Sequence, residues 1–539
     1  MIEVRNRRIS MLKDQKIWIA NNEKGQPVYL YPSMSNRHGL IAGATGTGKT
    51  VTIKVMAEAF SEMGVPVFMA DVKGDISGLM VPGTDSADMQ ERIERFGLDG
   101  FEYKGYPVTF WDIYGQNGIQ LRTTISEMGP LLLGRILGLN DTQADILHVI
   151  FKIADDQQVL LVDTKDLKAL LAYVDDHSND FAQDYGKISS ASIGVITRAI
   201  VALETQGADT FFGQPSLNFQ DWLTTDNGKG MIHVLDSSSL INNGTLYSTF
   251  LLWMLSELFE MLPEVGDLDK PKMVFFFDEA HLLFDNASKT LLDKIEQVVK
   301  LIRSKGVGVY FCTQNPKDVP DGVLAQLSNK VQHGLRAYTP ADQRAVRAAA
   351  DSFRENPDFD TYETLLNLGT GEAVISFLEE DGIPGIAQKA SVLPPQSNFS
   401  AVDATTKDNV IKSSLLFSKY ATAIDPDSAY EFYQRKGLED QQAAQQAAQQ
   451  AQAEKEAAKA EKEAAKQAEK EAKAQEKQAA KEQRDKERAI KNVGNSVVST
   501  VGREMGKQVG KHFGKFGKQL GGNVGSSLGR GLLNTLLKK

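Results

Sequence analysis

One glycine-rich stretch near the start of the chain carries the residue types that bind phosphate. Residues 43–50 match the phosphate-loop pattern G-x-x-x-x-G-K-[ST] at each fixed position. Its glycines allow a tight turn whose N–H groups point inward, and the following helix adds the positive end of its dipole. In such a loop the lysine reaches the β- and γ-phosphates and the hydroxyl binds Mg²⁺. The predicted nucleotide site comprises Gly43, Ala44, Thr45, Gly46, Thr47, Gly48, Lys49 and Thr50, with Thr50 as a metal ligand.

Acidic residues follow two apolar runs that we interpret as buried strands. Residues 273–277 end at Asp278 and Glu279, and residues 65–70 end at Asp71. In α/β sheets, ligands bind at the edge where parallel strands end, so we expect these acids beside the phosphate loop. There Asp278 would hold Mg²⁺, Glu279 would polarise the attacking water, and Asp71 would contribute to the nucleotide site. Taken alone, an apolar strand that ends in Asp-Glu is equally consistent with a solvated strand end.

A third candidate follows the apolar run 307–312. Gln314 lies just beyond this predicted strand, where a polar amide could sense the γ-phosphate and orient water. The alternative is an ordinary turn residue. Cys312, the single cysteine of the chain, is better explained as a small buried apolar side chain than as a reactive thiol. One cysteine excludes an internal disulfide and a multi-cysteine zinc site, which fits a reducing cytosol.

These candidates belong to a chain of 539 residues, too long for one ordinary domain. Strand and helix patterns alternate from residue 36, which predicts an α/β fold with a mostly parallel sheet and helices on both faces. Helical periodicity dominates one internal stretch. The predicted parts are a short β-element (1–35), the two parts of the core (36–120 and 216–395), a helical insertion (121–215), a linker (396–437), a polar helix (438–490) and a tail (491–539).

The charge of the chain is unevenly distributed. The tail 491–539 has nine lysines and arginines against one acid, Glu504, so its charge of +8 leaves −18 for the rest of a chain whose total is −10. This argues against a broadly basic DNA-coating protein, although a basic pore within an oligomer remains compatible. The first ten residues lack the apolar core of a signal peptide, and the apolar stretch 247–262 is interrupted by Glu257 and Glu260. We therefore expect a cytoplasmic protein.

The C-terminal extension has two different compositions. No Leu, Ile, Val or aromatic residue occurs between Glu439 and Ala489, and many Glu–Lys pairs lie four residues apart. Without an apolar seam this predicts a solvated single helix rather than a strong coiled coil, with a flexible linker as the alternative. In the tail, glycines recur every four residues from Gly502 to Gly514 and from Gly517 to Gly529. Such a segment could pack on itself or another protein, contact a membrane surface, or stay disordered.

Several of these motifs together resemble the HerA/FtsK superfamily of ring ATPases, in particular its bacterial YjgR-type branch. The resemblance covers roughly residues 30–395 and rests on segments 36–50, 71–74, 278–281, 301–308 and 313–316. It implies a RecA-like P-loop NTPase core of the ASCE type, hydrolysis of ATP with Mg²⁺, and a homo-oligomeric ring, usually hexameric, that translocates double-stranded DNA. It also implies an arginine that reaches the γ-phosphate, in cis or from a neighbour. Arg303 is the first choice and Arg336 the second, and either could instead be a surface arginine.

Two functional hypotheses follow. The first is an oligomeric motor on double-stranded DNA. The second is an ATPase switch or scaffold without DNA, which tethers a protein or a membrane surface through the C-terminal arm. The acidic body and the long arm favour the second hypothesis, whereas the family resemblance favours the first.

Overall fold

The computed structural model describes residues 11–490, except for 14, 99, 241–243 and 286–288. The chain divides into two compact units, Met1–Glu439 and Asp440–Lys539. The tail 491–539, for which we considered self-packing, membrane contact or disorder, lies outside the described residues.

A thirteen-stranded sheet forms the centre of the first unit. Along the sheet the strands are ordered β1-β2-β15-β14-β13-β4-β12-β11-β5-β10-β6-β7, and β3 pairs with β2. In chain order the strands of the protein are β1 (Leu12–Lys13), β2 (Lys16–Asn22), β3 (Pro27–Leu30), β4 (Gly39–Ala42), β5 (Val67–Asp71), β6 (Val108–Asp112), β7 (Ile119–Gln120), β8 (Thr225–Asp226), β9 (Lys229–Gly230), β10 (Ile232–Asp236), β11 (Met273–Phe277), β12 (Val307–Thr313), β13 (Asn329–His333), β14 (Glu372–Ser376) and β15 (Gln388–Val392). β8 and β9 form a separate hairpin.

Within the run β13-β4-β12-β11-β5-β10-β6-β7, each strand is parallel to the next. β5, β11 and β12 confirm the strands that the apolar runs predicted. β4, β5, β11 and β12 are buried along their whole length, as expected for parallel strands covered on both faces. Their common carboxyl edge is the place where the predicted site should lie.

The other end of the sheet is antiparallel. β14 pairs with β13, β15 with β14, and β2 with β15. The N-terminal strands, expected as a small separate element, are therefore continuous with the main sheet. β13, β14 and β15 were not predicted, because these short strands mix apolar with polar residues such as Lys330, Gln332 and Lys389.

Sixteen α-helices occur in the described residues. They are α1 (Lys49–Glu62), α2 (Ala87–Phe96), α3 (Ile125–Ile136), α4 (Asp141–Asp156), α5 (Thr164–Asp176), α6 (Ser178–Tyr185), α7 (Ser190–Glu204), α8 (Gly244–Met261), α9 (His281–Phe284), α10 (Lys289–Ile302), α11 (Asp321–Leu324), α12 (Pro340–Asp351), α13 (Thr361–Asn367), α14 (Ala404–Ser413), α15 (Leu415–Tyr420) and α16 (Ala429–Ile490).

Helices α3 to α7 fall within 121–215, the stretch predicted as a helical insertion. Local sequence sets where they start. Thr124 and Glu127 form a capping box at the start of α3, in which each side chain accepts the other residue's backbone N–H. Among the described residues no single helix combines the length and hydropathy needed to cross a membrane, and only the bent pair α6 and α7 meets those limits when taken together.

The segment predicted as a linker, 396–437, is part of the first unit and is held to it by buried ionisable side chains. On α1, Lys54 donates to the carbonyls of Asn398 and Phe399, and the Glu58 carboxylate accepts the N–H groups of residues 396 and 397. Lys407 of α14 pairs with Asp236 at 3.0 Å. The helix α16 then runs for 62 residues, or about 93 Å at ~1.5 Å per residue. Its described side chains from Leu438 to Ala479 are exposed, in line with the predicted solvated helix.

Candidate nucleotide-binding and catalytic site

The phosphate loop connects the end of β4 to the start of α1, so it is followed by a helix as predicted. The N–H of Gly43 donates to Thr313 O at 3.2 Å, and the N–H of Ala44 donates to Gly334 O at 3.0 Å. A Cβ atom at Gly43, where φ is 154°, would lie 2.5 Å from the Cβ of His333. Glycine is therefore required at the first loop position both by backbone conformation and by space.

Lys49 lies within this loop. Its side chain is buried, and Nζ donates to the carbonyl oxygens of Gly43 at 2.6 Å and Ala44 at 3.2 Å. A phosphate in the loop would offer the ammonium a charged acceptor, which makes a stronger hydrogen bond than these neutral carbonyls. The position of Lys49 thus suits the phosphate contact predicted for it.

A buried histidine supports the loop from behind. Nδ1 of His333 lies 2.8 Å from Glu372 O, and Nε2 lies 2.8 Å from the hydroxyl of Thr52 on α1. Burial lowers the pKa of His333 to about 4, so the ring is neutral at physiological pH. Because a carbonyl only accepts, Nδ1 carries the proton and Nε2 accepts from Thr52. Sequence reasoning missed His333, since only the tertiary arrangement brings it to the loop.

Strand β12 connects the phosphate loop to the two acids. β12 lies between β4, which precedes the phosphate loop, and β11, which precedes the two acids, and pairs with both strands. Thr313 O accepts from Gly43, while Cys312 O accepts the N–H of Ala280 at 2.8 Å. Two strand spacings correspond to about 10 Å. Lys49 and Glu279 therefore lie on the same edge of the sheet, close enough for one triphosphate to reach both.

Glu279 is held in a left-handed backbone conformation, with φ at 47°. Its Oε1 lies 2.6 Å from Lys73 Nζ, and its Oε2 lies 3.4 Å from both Gln314 Nε2 and His281 Nδ1. Burial alone would raise the pKa of Glu279, but the Lys73 ammonium, with smaller effects from Gln314 and His281, holds it below the ordinary value. Glu279 is thus kept as a carboxylate, the form a general base requires.

Asp278, the neighbour of Glu279, is also buried. Burial raises its pKa, against the opposing effect of the Lys73 ammonium. Cys312 is fully buried beside this carboxyl, and its own pKa is raised well above the usual range, first by burial and then by Asp278. Cys312 is therefore a buried side chain of the sheet, as the sequence predicted.

Asp71 shapes a loop at the same edge. Its carboxylate accepts the N–H groups of Lys73 at 3.1 Å, Gly74 at 2.7 Å and Ile76 at 3.1 Å, and burial raises its pKa to about 6. Its oxygens thus serve the turn that presents Lys73, and its contact with a nucleotide stays a prediction. No pattern in the sequence assigns Lys73 a partner.

A cleft of about 460 Å³ opens in front of the loop. It brings Gln314 and Arg336 together with the loop residues Ala44 and Thr45. Arg303 lies elsewhere, in the turn that precedes β12, and so at the opposite edge of the sheet from the phosphate loop. Burial and the nearby Arg37 guanidinium lower the pKa of Arg303. Within one chain the structure thus places Arg336, and not Arg303, beside the site.

Residues 16–519 match a protein-family model described as helicase HerA-like C-terminal. This chain belongs to the HerA-like family. The phosphate loop between β4 and α1 and the parallel strands around it agree with the predicted α/β fold of a P-loop NTPase.

Curated relatives include two proteins named DNA double-strand break repair helicase HerA. The one from Sulfurisphaera tokodaii is 25% identical over 353 residues, which cover 63% of this HerA-like chain and 62% of the relative. The one from Sulfolobus acidocaldarius is 23% identical over 350 residues, which cover 63% of this chain and 62% of the relative. The chain thus spans about three-fifths of the length of these relatives. Among solved structures, the plasmid coupling protein TrwB in complex with ADP and Mg²⁺ is 15% identical, with 73% of this chain and 92% of that chain covered and a TM-score of 0.49.

Proposed function

We propose that this HerA-like protein is a Mg²⁺-dependent ATPase. The observation that carries the proposal is the position of β12, whose last residues bond to the phosphate loop on one side and to the turn after Glu279 on the other. This arrangement lets the loop hold a triphosphate while a carboxylate faces its terminal phosphate.

The residues present fit Mg²⁺. Hydroxyl and carboxylate oxygens are ligands that Mg²⁺ prefers, and the Thr50 hydroxyl and the Asp278 carboxylate would supply them. When bound, the ion neutralises phosphate charge that develops during transfer.

Each side chain then has a defined role. Lys49 binds the β- and γ-phosphates, and Glu279 takes a proton from the water that attacks the γ-phosphorus. Gln314, within 3.4 Å of the Glu279 carboxylate, orients that water. The bond between the γ-phosphorus and the bridging oxygen breaks, and the products are ADP and inorganic phosphate. Arg336, exposed at the front of the cleft, is a candidate for charge stabilisation in cis.

We further propose that the substrate polymer is double-stranded DNA and that the protein works as a homo-oligomeric ring, with a hexamer as the expected form. Membership of the HerA-like family and the names of the two curated relatives support DNA as the substrate. The ring and its six subunits rest on the family resemblance of the sequence motifs. The test is ATP turnover without and with duplex DNA, single-stranded DNA or liposomes. Faster ATP turnover with duplex DNA would support a DNA motor. If DNA changes neither ATP turnover nor oligomer assembly, a DNA motor is excluded.

Arg303 bears on the ring proposal, because it lies at the edge of the sheet opposite its own phosphate loop. If Arg303 contacts a nucleotide, that nucleotide belongs to a neighbouring copy; otherwise Arg303 is a surface arginine. Lys49→Ala and Arg303→Ala subunits should each be inactive alone. Mixed together they should regain activity. The Lys49→Ala subunit still has Arg303, which can contact the nucleotide bound to the intact phosphate loop of an Arg303→Ala neighbour. No recovery in a mixed assembly of confirmed composition would contradict an arginine supplied in trans.

A second candidate function is an ATPase switch or scaffold that tethers a protein or a membrane surface through the C-terminal arm. The observation that favours it is the length of α16 together with its exposed, polar surface. If this function holds, removing residues 438–539 should abolish partner or liposome binding and leave basal ATP turnover intact. Equal binding by the full-length and shortened chains would exclude it.

A further inference from the structure

A short turn after β5, residues 71–76, presents one lysine to the catalytic acids. The Asp71 carboxylate closes the turn through the N–H groups of residues 73, 74 and 76. On the far side of the turn, Lys54 of α1 donates to Asp75 O at 2.8 Å. The backbone that carries Lys73 is therefore fixed by two buried charged side chains, which makes the position of its ammonium well defined.

The contact of that ammonium with Glu279 is unlike an ordinary surface ion pair. Nζ lies 2.6 Å from Oε1, and the side chain of Glu279 is only 6% exposed, whereas that of Lys73 is 40% exposed. Exposed pairs contribute little because solvent screens them and both side chains must be ordered. Here one partner is buried and already ordered by the strand, so loss of the lysine leaves a buried carboxylate without its strongest contact.

The two oxygens of Glu279 have different surroundings. Oε1 faces Lys73, while Oε2 faces Gln314 and His281 at 3.4 Å. Gln314 lines the cleft in front of the phosphate loop. Holding Oε1 therefore fixes the torsion of the carboxylate and keeps Oε2 on the side where water and the γ-phosphate would meet. A misplacement of about 1 Å in such a group can cost on the order of 100-fold in rate.

We propose that Lys73 is a positioning residue for ATP hydrolysis, whose ammonium holds Oε1 of Glu279 so that Oε2 accepts the proton of the attacking water. The inference rests on the proposed ATPase function and adds a residue to it. Lys73 acts through Glu279 and does not itself bind the phosphates, so its loss should affect turnover and leave ATP binding unchanged.

The test compares Lys73→Met, Lys73→Arg and the control Lys317→Met in the full-length protein. Lys317 is an exposed lysine in the turn after β12, near the same edge of the sheet. Lys73→Met should lower kcat at least ~10-fold with KM for ATP within about threefold, a fraction of the ~10²–10⁴ that general bases contribute. Lys73→Arg keeps the charge and should recover most of kcat, and Lys317→Met should behave as the wild-type protein.

Three outcomes would overturn the positioning role. They are a wild-type kcat in Lys73→Met, a loss of ATP affinity that accounts for its lower rate, and a Lys73→Arg variant as slow as Lys73→Met. ATP affinity is measured separately by equilibrium binding, so that a folding or binding defect is recognised. The proposed function fails independently: Glu279→Gln with wild-type turnover removes Glu279 as the base, whereas an inactive Glu279→Gln beside an active Lys73→Met removes only Lys73.

Discussion

Glu58 provides a test of how the phosphate-loop helix is built into the fold. It is fully buried on α1 and accepts the N–H groups of Gln396 at 2.8 Å and Ser397 at 3.0 Å. Burial raises the pKa of Glu58 from 4.5 to about 7, although the hydrogen bonds from Ser397 and Gln396 and the nearby Lys54 oppose the rise. The folded protein therefore holds this proton more tightly than the unfolded chain does.

The sign of the effect follows from linkage. A carboxyl whose pKa is raised on folding favours the folded state at low pH, and this contribution is lost as the pH rises from 4.5 through about 7. The difference of about 2.5 between the two pKa values corresponds to about 3 kcal/mol of unfolding free energy. Glu58→Gln cannot titrate at this position. The unfolding free energy of the wild-type protein minus that of the variant should therefore fall by about 3 kcal/mol between pH 4.5 and 8.

The measurement is urea unfolding at a series of pH values, followed by the fluorescence of the four tryptophans, all of which are buried in the folded protein. Taking the difference in unfolding free energy between the two proteins at each pH cancels the contribution of every other group that titrates in both. Glu91→Gln, which changes an exposed glutamate on α2, is the control and should keep the pH dependence of the wild-type protein. If the difference in unfolding free energy between the wild-type protein and Glu58→Gln does not change from pH 4.5 to 8, the raised pKa of Glu58 is refuted.

Other substitutions test the contacts around the site. Gly43→Ala should abolish ATP binding, because the added Cβ would lie 2.5 Å from the Cβ of His333 at a φ of 154°; equilibrium binding of a fluorescent ATP analogue measures this. Thr52→Val removes the hydroxyl that donates to His333 and should lower the unfolding free energy by about 1–2 kcal/mol in urea. Asp166→Asn weakens the acceptor of the Tyr430 N–H at the start of α16 and should speed proteolysis near residue 430.

Each of these predictions has an outcome that would contradict it. Wild-type ATP affinity in Gly43→Ala would mean that the loop does not pack on His333, and Gly46→Ala, where nothing lies within 4 Å, serves as the milder comparison. An unchanged unfolding free energy for Thr52→Val would show that the histidine does not need the hydroxyl. Proteolysis of Asp166→Asn at the wild-type rate would show that α16 is anchored by other contacts.

The sequence predicted those parts of the site that local chemistry defines. The loop 43–50 and the pair Asp278 and Glu279 follow apolar strands, and the rule that ligands bind where parallel strands end placed them on one edge. The structure agrees, because β12 pairs with both strands. Gln314 was found in the same way, by its position one residue beyond a buried strand.

The contacts that depend on register across the sheet could not be predicted. Lys73 meets Glu279 because β5 pairs with β11, and His333 lies behind the loop because β13 pairs with β4. Neither Lys73 nor His333 lies in a sequence pattern from which the residue it contacts could be predicted. The segment 396–437 looked like a linker since it is polar, yet the buried Lys54 and Glu58 hold it. The available signal was a pair of ionisable residues within an otherwise apolar helix, because such groups need partners when the helix is buried.

The central claim is that Lys49 and Glu279 act on one ATP molecule. It is tested most directly by measuring, in wild-type, Lys49→Ala and Glu279→Gln proteins, both the ATP that remains bound and the phosphate released after incubation with Mg²⁺ and ATP. We expect Glu279→Gln to retain intact ATP and release almost no phosphate, and Lys49→Ala to retain none. Phosphate release at the wild-type rate by Glu279→Gln, or by Lys49→Ala, would contradict the shared site.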